Sequence, residues 1–224
     1  MAIVAGIDGY RRGWVAIVLC DGAYQSALVA PGLAELVART PLAAAIGIDI
    51  PIGLPERAPR PADVEARRFV GPRRNSVFPT LPRAVWEAPD LAAARRLHLG
   101  LSGRSVSAQT FALRDRVLEA DRVARSDPRL REVHPEVSFR ALAGRHLTVP
   151  KSSWTGISLR RGLLLGAGIE LPEELGEAGA AGIADVLDAA VVAWSAQRVA
   201  AGQAESLPAE ARPGPDGIEA AIWY

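Results

Sequence analysis

Apolar residues in the first fifty positions form short runs that predict strands. Residues 2–8, 13–19 and 24–30 are largely apolar, and short segments containing glycine separate them. Loops of this length connect antiparallel neighbours, so the chain is expected to begin with a three-stranded meander. Apolar residues then recur at helical spacing from 33 to 37, and residues 43–50 predict a buried fourth strand. Because a strand that follows a helix usually lies parallel in the same sheet, the sheet is expected to be mixed.

The remaining chain predicts helices, one further strand and an irregular tail. Helical periodicity covers residues 62–69, 91–99, 108–124, 153–166 and 182–201. Residues 131–139 (REVHPEVSF) are expected to form a strand with its own turn, which gives an α/β fold with a five-stranded mixed sheet flanked by helices. Residues 202–217 contain three prolines and no periodicity, so they are expected to link to the apolar end at 218–223.

Length and composition fit a single domain spanning residues 1–224, because the hydrophobic content is 49%. The single cysteine, Cys20, excludes an internal disulfide and favours the reducing cytoplasm, and the residue itself is predicted to pack in the core. No basic segment precedes the apolar start, and two aspartates interrupt the most apolar later stretch, residues 178–194. Neither secretion nor a membrane span is expected.

Charge is unevenly distributed although the formal net charge is only +1. Residues 57–131 contain sixteen arginines and eight acidic residues. We therefore expect a basic, mostly helical insertion at about 52–130, in an otherwise acidic domain that ends in a proline-rich tail at about 202–224. Two interpretations of the insertion are open, a solvated arginine-rich surface or a surface that binds nucleic acid.

Several acidic residues occupy positions that are predicted to be buried. Asp8 and Asp49 end apolar strand patterns, and Asp185 and Asp188 share one face of a helix that is apolar nearly all round. A buried carboxylate is costly unless a cation or hydrogen-bond donors meet it. Structural alternatives exist, because Asp8 precedes Gly9 in a turn and Asp185 lies where the helix dipole favours an acid.

Four converging carboxylates predict a site for Mg²⁺ or Mn²⁺, since these ions prefer oxygen ligands. Two such ions can activate a water and stabilise the leaving oxygen of a phosphodiester, so a two-metal site is expected. Zinc is disfavoured because the three histidines and one cysteine do not follow zinc-site spacing.

Basic and hydroxyl residues are candidate phosphate ligands. The candidates are Arg67, Arg68, Arg73, Arg74, Ser76 and Lys151. Guanidinium groups match phosphate oxygens two at a time. Lys151, the only lysine in the sequence, precedes a predicted helix start and is either a phosphate ligand or a surface residue. His134, which precedes a proline, is predicted to be structural rather than a general base.

Aromatic residues offer a weaker indication of nucleic-acid binding. Tyr10, Trp14, Trp86 and Trp154 could stack on bases, but most of them are predicted to be core residues.

The order of the elements resembles the ribonuclease H-like superfamily, and most of all its Holliday-junction resolvase branch. The shared features are an aspartate on the first strand, an acid on the fourth and D-x-x-D on a late helix. The stretches GIDGYRRGW, IDIPIGLP, GPRRNSVFP, HPEVSF and IADVLDAAVVA resemble the domain of unknown function 429 family of predicted nucleases, in order over essentially the whole chain.

The resemblance implies a role for each matching acid. Asp8 is similar to the first-strand acid that bridges both metals, and Asp49 to the fourth-strand acid beside it. Asp185 and Asp188 are similar to the helical acids, but Ala184 stands where the family often has an acid, which makes Asp185 the less secure ligand.

Glu136, in HPEVSF, is similar to a motif acid of the narrower family, where it would bind metal, orient water or cap a strand. The implied catalytic residues are Asp8, Asp49, Glu136 and Asp188, and the implied activity is metal-dependent cleavage of nucleic acid. Two alternatives stay open, a noncatalytic nucleic-acid or protein-binding module and an actin-like phosphotransferase, which would need a second module. The oligomeric state is also open, and a homodimer is compatible with the sequence.

Overall fold

The computed structural model describes residues 1–211, 213–214 and 217–224, and a five-stranded sheet forms its centre. The strands are β1 (Ile3–Tyr10), β2 (Gly13–Cys20), β3 (Ala23–Ala30), β4 (Ala43–Ile48) and β5 (Leu130–Glu132), in the spatial order β3-β2-β1-β4-β5. The first three strands are antiparallel, whereas β4 is parallel to both β1 and β5. The expected mixed five-stranded sheet is confirmed, and it is consistent with a ribonuclease H-like fold.

Helices flank the sheet, and most of them match predicted periodicity. They are α1 (Leu33–Ala38), α2 (Pro61–Val70), α3 (Arg83–Trp86), α4 (Leu91–Ser102), α5 (Ala108–Phe111), α6 (Arg114–Ser126), α7 (Pro135–Ala143), α8 (Trp154–Gly166) and α9 (Ile183–Ala200). Two 3₁₀ helices cover Gly71–Ser76 and Gly176–Ala180. The basic segment between β4 and β5 consists of α2 to α6, and the single helix predicted for 108–124 is divided into α5 and α6. No helix of the described residues is both long and apolar enough to cross a membrane.

The two faces of the sheet pack against different helices. Ile7 and Ile48 lie in a core shared with residues of α1 and α6, whereas Val4 and Ala45, on the opposite face, pack with α9. Successive side chains of a strand point to opposite faces, so even-numbered residues of β1 and, from Ala45 onward, odd-numbered residues of β4 face α9. Helix α9 crosses β1, β2 and β4 on this side.

Two glycines let α9 approach the sheet at backbone distance. A Cβ placed on Gly6 would lie 2.0 Å from the backbone nitrogen of Ala193 and 2.3 Å from the carbonyl oxygen of Ala189. A Cβ on Gly47 would lie 2.9 Å from the carbonyl oxygen of Val192. Gly6 and Gly47 are register partners in the parallel pair of strands. The helix therefore rests on a paired patch of bare backbone.

The prediction of a strand over residues 131–139 is wrong beyond its first residues. Strand β5 ends at Glu132, and α7 begins at Pro135 with His134 as its N-cap. Proline is well suited to the first helical position because its missing N–H has no partner there in any case. The Nδ1 atom of His134 accepts a hydrogen bond from the backbone N–H of Glu136, at 3.2 Å.

The C-terminal residues pack against the domain instead of forming a loose link. Ser206–Leu207 (β6) and Ile222–Trp223 (β7) pair as a two-stranded antiparallel sheet, and Trp223 forms a parallel bridge with Val133. The ring of Tyr224 lies 4.8 Å from that of Phe69, centroid to centroid. The linker prediction is thus wrong for β6, while residues 212, 215 and 216 of the predicted linker lie outside the described residues.

Candidate metal centre

Two aspartates lie at the ends of the paired parallel strands. Asp8 belongs to the tripeptide Gly6-Ile7-Asp8 of β1, and Asp49 follows β4 in the identical tripeptide Gly47-Ile48-Asp49. The tripeptides are in register, and the backbone N–H of Asp49 donates to the carbonyl of Ile7 at 2.9 Å. Strand alternation directs both aspartates to the same face as the preceding glycines, which is the face covered by α9.

Helix α9 adds Asp188 to this pair. One carboxylate oxygen from each of Asp8, Asp49 and Asp188 can be chosen so that the three atoms lie within 4.8 Å of one another. The residue that follows Asp188 is Ala189, whose carbonyl faces Gly6. The close contact between helix and sheet therefore brings the helical aspartate to the strand ends. We call Asp8, Asp49 and Asp188 the aspartate triad.

Burial makes full ionisation of the triad unfavourable. Burial and the neighbouring carboxylates of Asp49 and Asp188 raise the pKa of Asp8 well above its usual value. Burial also raises the pKa of Asp49 to about 7 and that of Asp188 to about 6, although Lys151 opposes both shifts. A nearby positive charge would therefore stabilise the ionised form of the triad.

Lys151 supplies one positive charge next to the triad. Its Nζ lies 2.5 Å from Oδ2 of Asp188, and its side chain is 43% exposed. Burial acts to lower the pKa of Lys151, but the carboxylates of Asp188, Asp49 and Asp8 outweigh this and raise it above its usual range. The structure therefore places this lysine beside the triad.

Glu136 lies near the triad at the start of α7, with its carboxylate buried. Its Oε1 accepts a hydrogen bond from Arg160 at 2.8 Å and a longer one from Arg73 at 3.4 Å. Its Oε2 is buried and has no hydrogen-bond partner among the described residues. The charge of Glu136 contributes to the raised pKa values of Asp49 and Asp188. Glu136 is therefore a neighbour of the triad with one free oxygen.

Asp185 is half-buried, in the first turn of α9, and falls outside the three-aspartate group found among the described residues. Its charge makes the smallest of the contributions that raise the pKa of Asp8. A Cβ on Gly182, the N-cap residue, would lie 3.0 Å from Oδ2 of Asp185, so this carboxylate bends toward the helix start. This position agrees with the helix-dipole alternative for Asp185.

A cleft of about 190 Å³ opens beside Asp8 and Asp49, and Ser76 and Arg116 also line it. The guanidinium of Arg116 lies against Gly9, and it donates a hydrogen bond to the carbonyl of Tyr10. The sequence pattern does not distinguish Arg116 from the other arginines of the basic segment. The only sequence signal for it is its membership of the basic segment, because α6 meets β1 across more than a hundred residues of chain.

The other candidate phosphate ligands form a separate surface. Arg67, Arg68 and Arg74 line a second cavity, along α2 and the following 3₁₀ helix. Arg67 also donates to the carbonyl of Val77 at 2.6 Å. Arg73 instead turns toward Glu136. Of the six candidates, Lys151, Ser76 and Arg73 thus lie at or near the triad and its cleft, and the other three do not.

Two more polar features line the cleft, and only the first, His134, is predicted from the sequence. His134 is half-buried, and desolvation of its ring lowers its pKa; its Nε2 contacts the carbonyl of Ser76 at 3.3 Å, as fits a structural role. Arg60 is 1% exposed and lies 2.6 Å from Glu132 and 2.7 Å from Asp63. Because Glu132 also accepts from the N–H of Ile52 at 2.9 Å, this ion pair joins β5 to the segment after β4.

The aromatic residues divide between core and surface. Trp14 and Trp86 are fully buried, as predicted, and Tyr10 is 8% exposed. Trp154, at the start of α8, is 84% exposed and so is not a core residue.

The donor atoms of the centre fit a small divalent cation. All three triad ligands are carboxylate oxygens, which suit Mg²⁺ or Mn²⁺, and the free Oε2 of Glu136 adds a nearby buried acceptor. Both ring nitrogens of His134 already have backbone partners, so neither nitrogen is free to bind a metal ion. The triad can therefore hold a metal ion of the oxygen-preferring kind.

Comparison with known proteins identifies a family. The family described as "Protein of unknown function (DUF429)" matches residues 6–212, a range that contains all three residues of the triad. No curated protein and no solved structure matches the chain at a significant level. Because the match covers nearly the full length, the chain belongs to the DUF429 family.

Proposed function

We propose that this protein is a divalent-metal-dependent phosphodiesterase that cleaves nucleic acid. The observation that carries the proposal is the convergence of Asp8, Asp49 and Asp188 from three separate elements onto one buried point. Burying three carboxylates together is costly, and Lys151 alone compensates for only part of their charge. A bound divalent cation would offset the unfavourable free energy of burying these carboxylates.

Each residue at the centre has a distinct part in this reaction. A divalent ion bound by the triad would supply a polarised water as nucleophile and would offset negative charge on the phosphate. The three aspartates hold the ligand oxygens in place, since their elements are fixed by the contact of α9 with Gly6 and Gly47. Lys151 offers an ammonium at the edge of the triad, where a phosphate oxygen would accept a hydrogen bond.

The cleft and the basic segment favour a polymeric substrate over a small phosphoester. Arg116 and Ser76 line the cleft beside Asp8 and Asp49, where they would contact phosphates next to the scissile one. The separate surface of Arg67, Arg68 and Arg74 would extend such contacts along a backbone. A nucleic acid would span both sites, whereas a small ester would occupy the cleft alone.

Cleavage assays with matched variants test the proposal. The purified protein is incubated with single-stranded, duplex and four-way-junction DNA and with RNA, in Mn²⁺, Mg²⁺ or EDTA. We expect metal-dependent cleavage that falls by more than about 100-fold in Asp8→Asn and in Asp49→Asn, because each change removes a ligand charge. Asp115→Asn is the control, since Asp115 is 91% exposed on α6, and it should retain activity.

Each alternative predicts a different result. Equal activity in the parent and in both triad variants would refute the proposal. A noncatalytic binding module would bind nucleic acid without cleaving it, and EDTA would change neither its binding nor its melting temperature. An actin-like phosphotransferase would be stabilised by ATP.

A further inference from the structure

Lys151 places its ammonium directly against a buried carboxylate oxygen of the triad. Its Nζ lies 2.5 Å from Oδ2 of Asp188, a carboxylate that is itself only 1% exposed. The chain has 26 basic side chains and only this one is a lysine. An ammonium is a compact point charge, whereas a guanidinium is a broad planar fork. Lysine is therefore the basic side chain that can replace a metal ion in a small space.

Other acids near the triad are poorly placed to bind a second ion. Glu136 keeps its free Oε2, but its other oxygen contacts Arg160 and Arg73, and the residue lies outside the three-aspartate group of the described residues. Asp185 lies outside the three-aspartate group of the described residues. A second ion would therefore have to share the triad itself and separate Lys151 from Asp188.

Charge balance leads to the same conclusion. One divalent ion and one ammonium together neutralise three carboxylates. A second divalent ion would leave a large excess of positive charge in a site whose carboxylates are at least nine-tenths withdrawn from solvent at Asp8 and Asp188. Removal of the lysine would bring the balance for two ions closer to neutrality.

We infer that the ammonium of Lys151 substitutes for a second metal ion, so that the centre binds one divalent ion and not two. This inference rests on the proposed function, because it presumes that the triad binds metal. It departs from the two-metal site expected from the sequence.

Metal stoichiometry provides the test. Metal-free protein is titrated with Mn²⁺ by isothermal calorimetry, and the bound ions are examined by electron paramagnetic resonance. We expect the parent to bind one ion with the spectrum of an isolated Mn²⁺. Lys151→Ala and Lys151→Gln should bind two, with the exchange-coupled spectrum of ions about 4 Å apart. Arg161→Ala, which removes an exposed charge from α8, is the matched control and should bind one.

The outcomes separate this inference from the proposed function. Two ions in the parent, or a single ion in both folded lysine variants, would overturn the inference and leave the metal centre standing. Loss of all binding in the folded lysine variants would also overturn it, because Lys151 would then be required to position Asp188. Absence of binding in the parent would instead refute the metal centre. Circular dichroism establishes that the variants are folded.

Discussion

The carboxyl groups of the aspartate triad are withdrawn from solvent, and this burial links their ionisation to the stability of the fold. Asp49 and Asp188 have raised pKa values of about 7 and about 6. The usual value for an unfolded chain is about 3.9. The folded state without metal therefore holds protons on these groups more tightly than the unfolded state does. The contribution of these two groups to stability is therefore fully present below about pH 4 and is lost as the pH rises through about 6 to 7.

This linkage predicts a measurable pH dependence. In EDTA, the melting temperature should fall by roughly 10 °C between pH 5 and pH 8, because the two pKa shifts are worth about 4 kcal/mol over this range and each kcal/mol moves the melting temperature of a chain of this length by about 2–4 °C. Addition of Mn²⁺ at pH 8 should reverse the fall, because metal binds the ionised carboxylates. Asp49→Asn should reduce the pH dependence, and Asp115→Asn should leave it unchanged. A flat profile for the parent in EDTA would contradict the raised pKa values.

At the residue scale, the sequence predicts the strand acids well. The tripeptide Gly-Ile-Asp begins at both Gly6 and Gly47. The glycine two residues before each acid indicates, in the sequence, where α9 contacts the strand. The environment of Lys151 could not be predicted, because its contact with Asp188 depends on how α8 packs against α9. The same holds for Arg116, which approaches β1 from a helix distant in sequence.

At the scale of elements, the contact between α9 and the sheet determines the geometry of the centre. A methyl group on Gly6 would meet backbone atoms of Ala193 and Ala189, which cannot rotate away as a flexible side chain can. The helix would have to shift, and Asp188 would shift with it. Stability and metal affinity are therefore expected to depend on the same glycine.

A single substitution tests this dependence. Gly6→Ala should destabilise the protein by about 3 kcal/mol, the upper part of the range for overpacking, and should weaken Mn²⁺ binding. Gly162→Ala in α8 is the matched control, since nothing lies within 4 Å of its added Cβ, and it should be neutral or stabilising by up to about 1 kcal/mol. Thermal melts and Mn²⁺ titrations report the two effects. Unchanged melting of Gly6→Ala would contradict the close approach.

Periodicity predicts the elements best where one face is buried. Strands β1 to β4 and the long helices α8 and α9 appear close to their expected bounds. The strand predicted for the segment after β5 is wrong because β-branched and aromatic residues around Pro135 follow a strand-like pattern. The physical reason for the helix is local, since Pro135 and the His134 cap together favour a helix start.

For the whole molecule, the C-terminal residues close the structure around the candidate centre. Ile222 is 1% exposed and lines the same cleft as Asp8, and Trp223 bridges to the residue before His134. No local pattern reveals this docking, because a two-residue strand has too few positions to show a period. The proline-rich composition of 202–217 predicts irregular structure, but it does not predict that the residues after it pair with β6 and Val133.

The bare-backbone contact between α9 and the paired glycines also bears on which ions the centre accepts. Side chains can change rotamer to accommodate a larger ion, but backbone groups in direct contact cannot move apart without shifting α9. Calcium needs metal–oxygen distances of about 2.3–2.6 Å and more ligands than the smaller magnesium, at about 2.0–2.1 Å. Competition titrations should therefore show weaker retention of Ca²⁺ than of Mn²⁺, and the spacing of two peptide backbones would then act as a gauge of ionic radius.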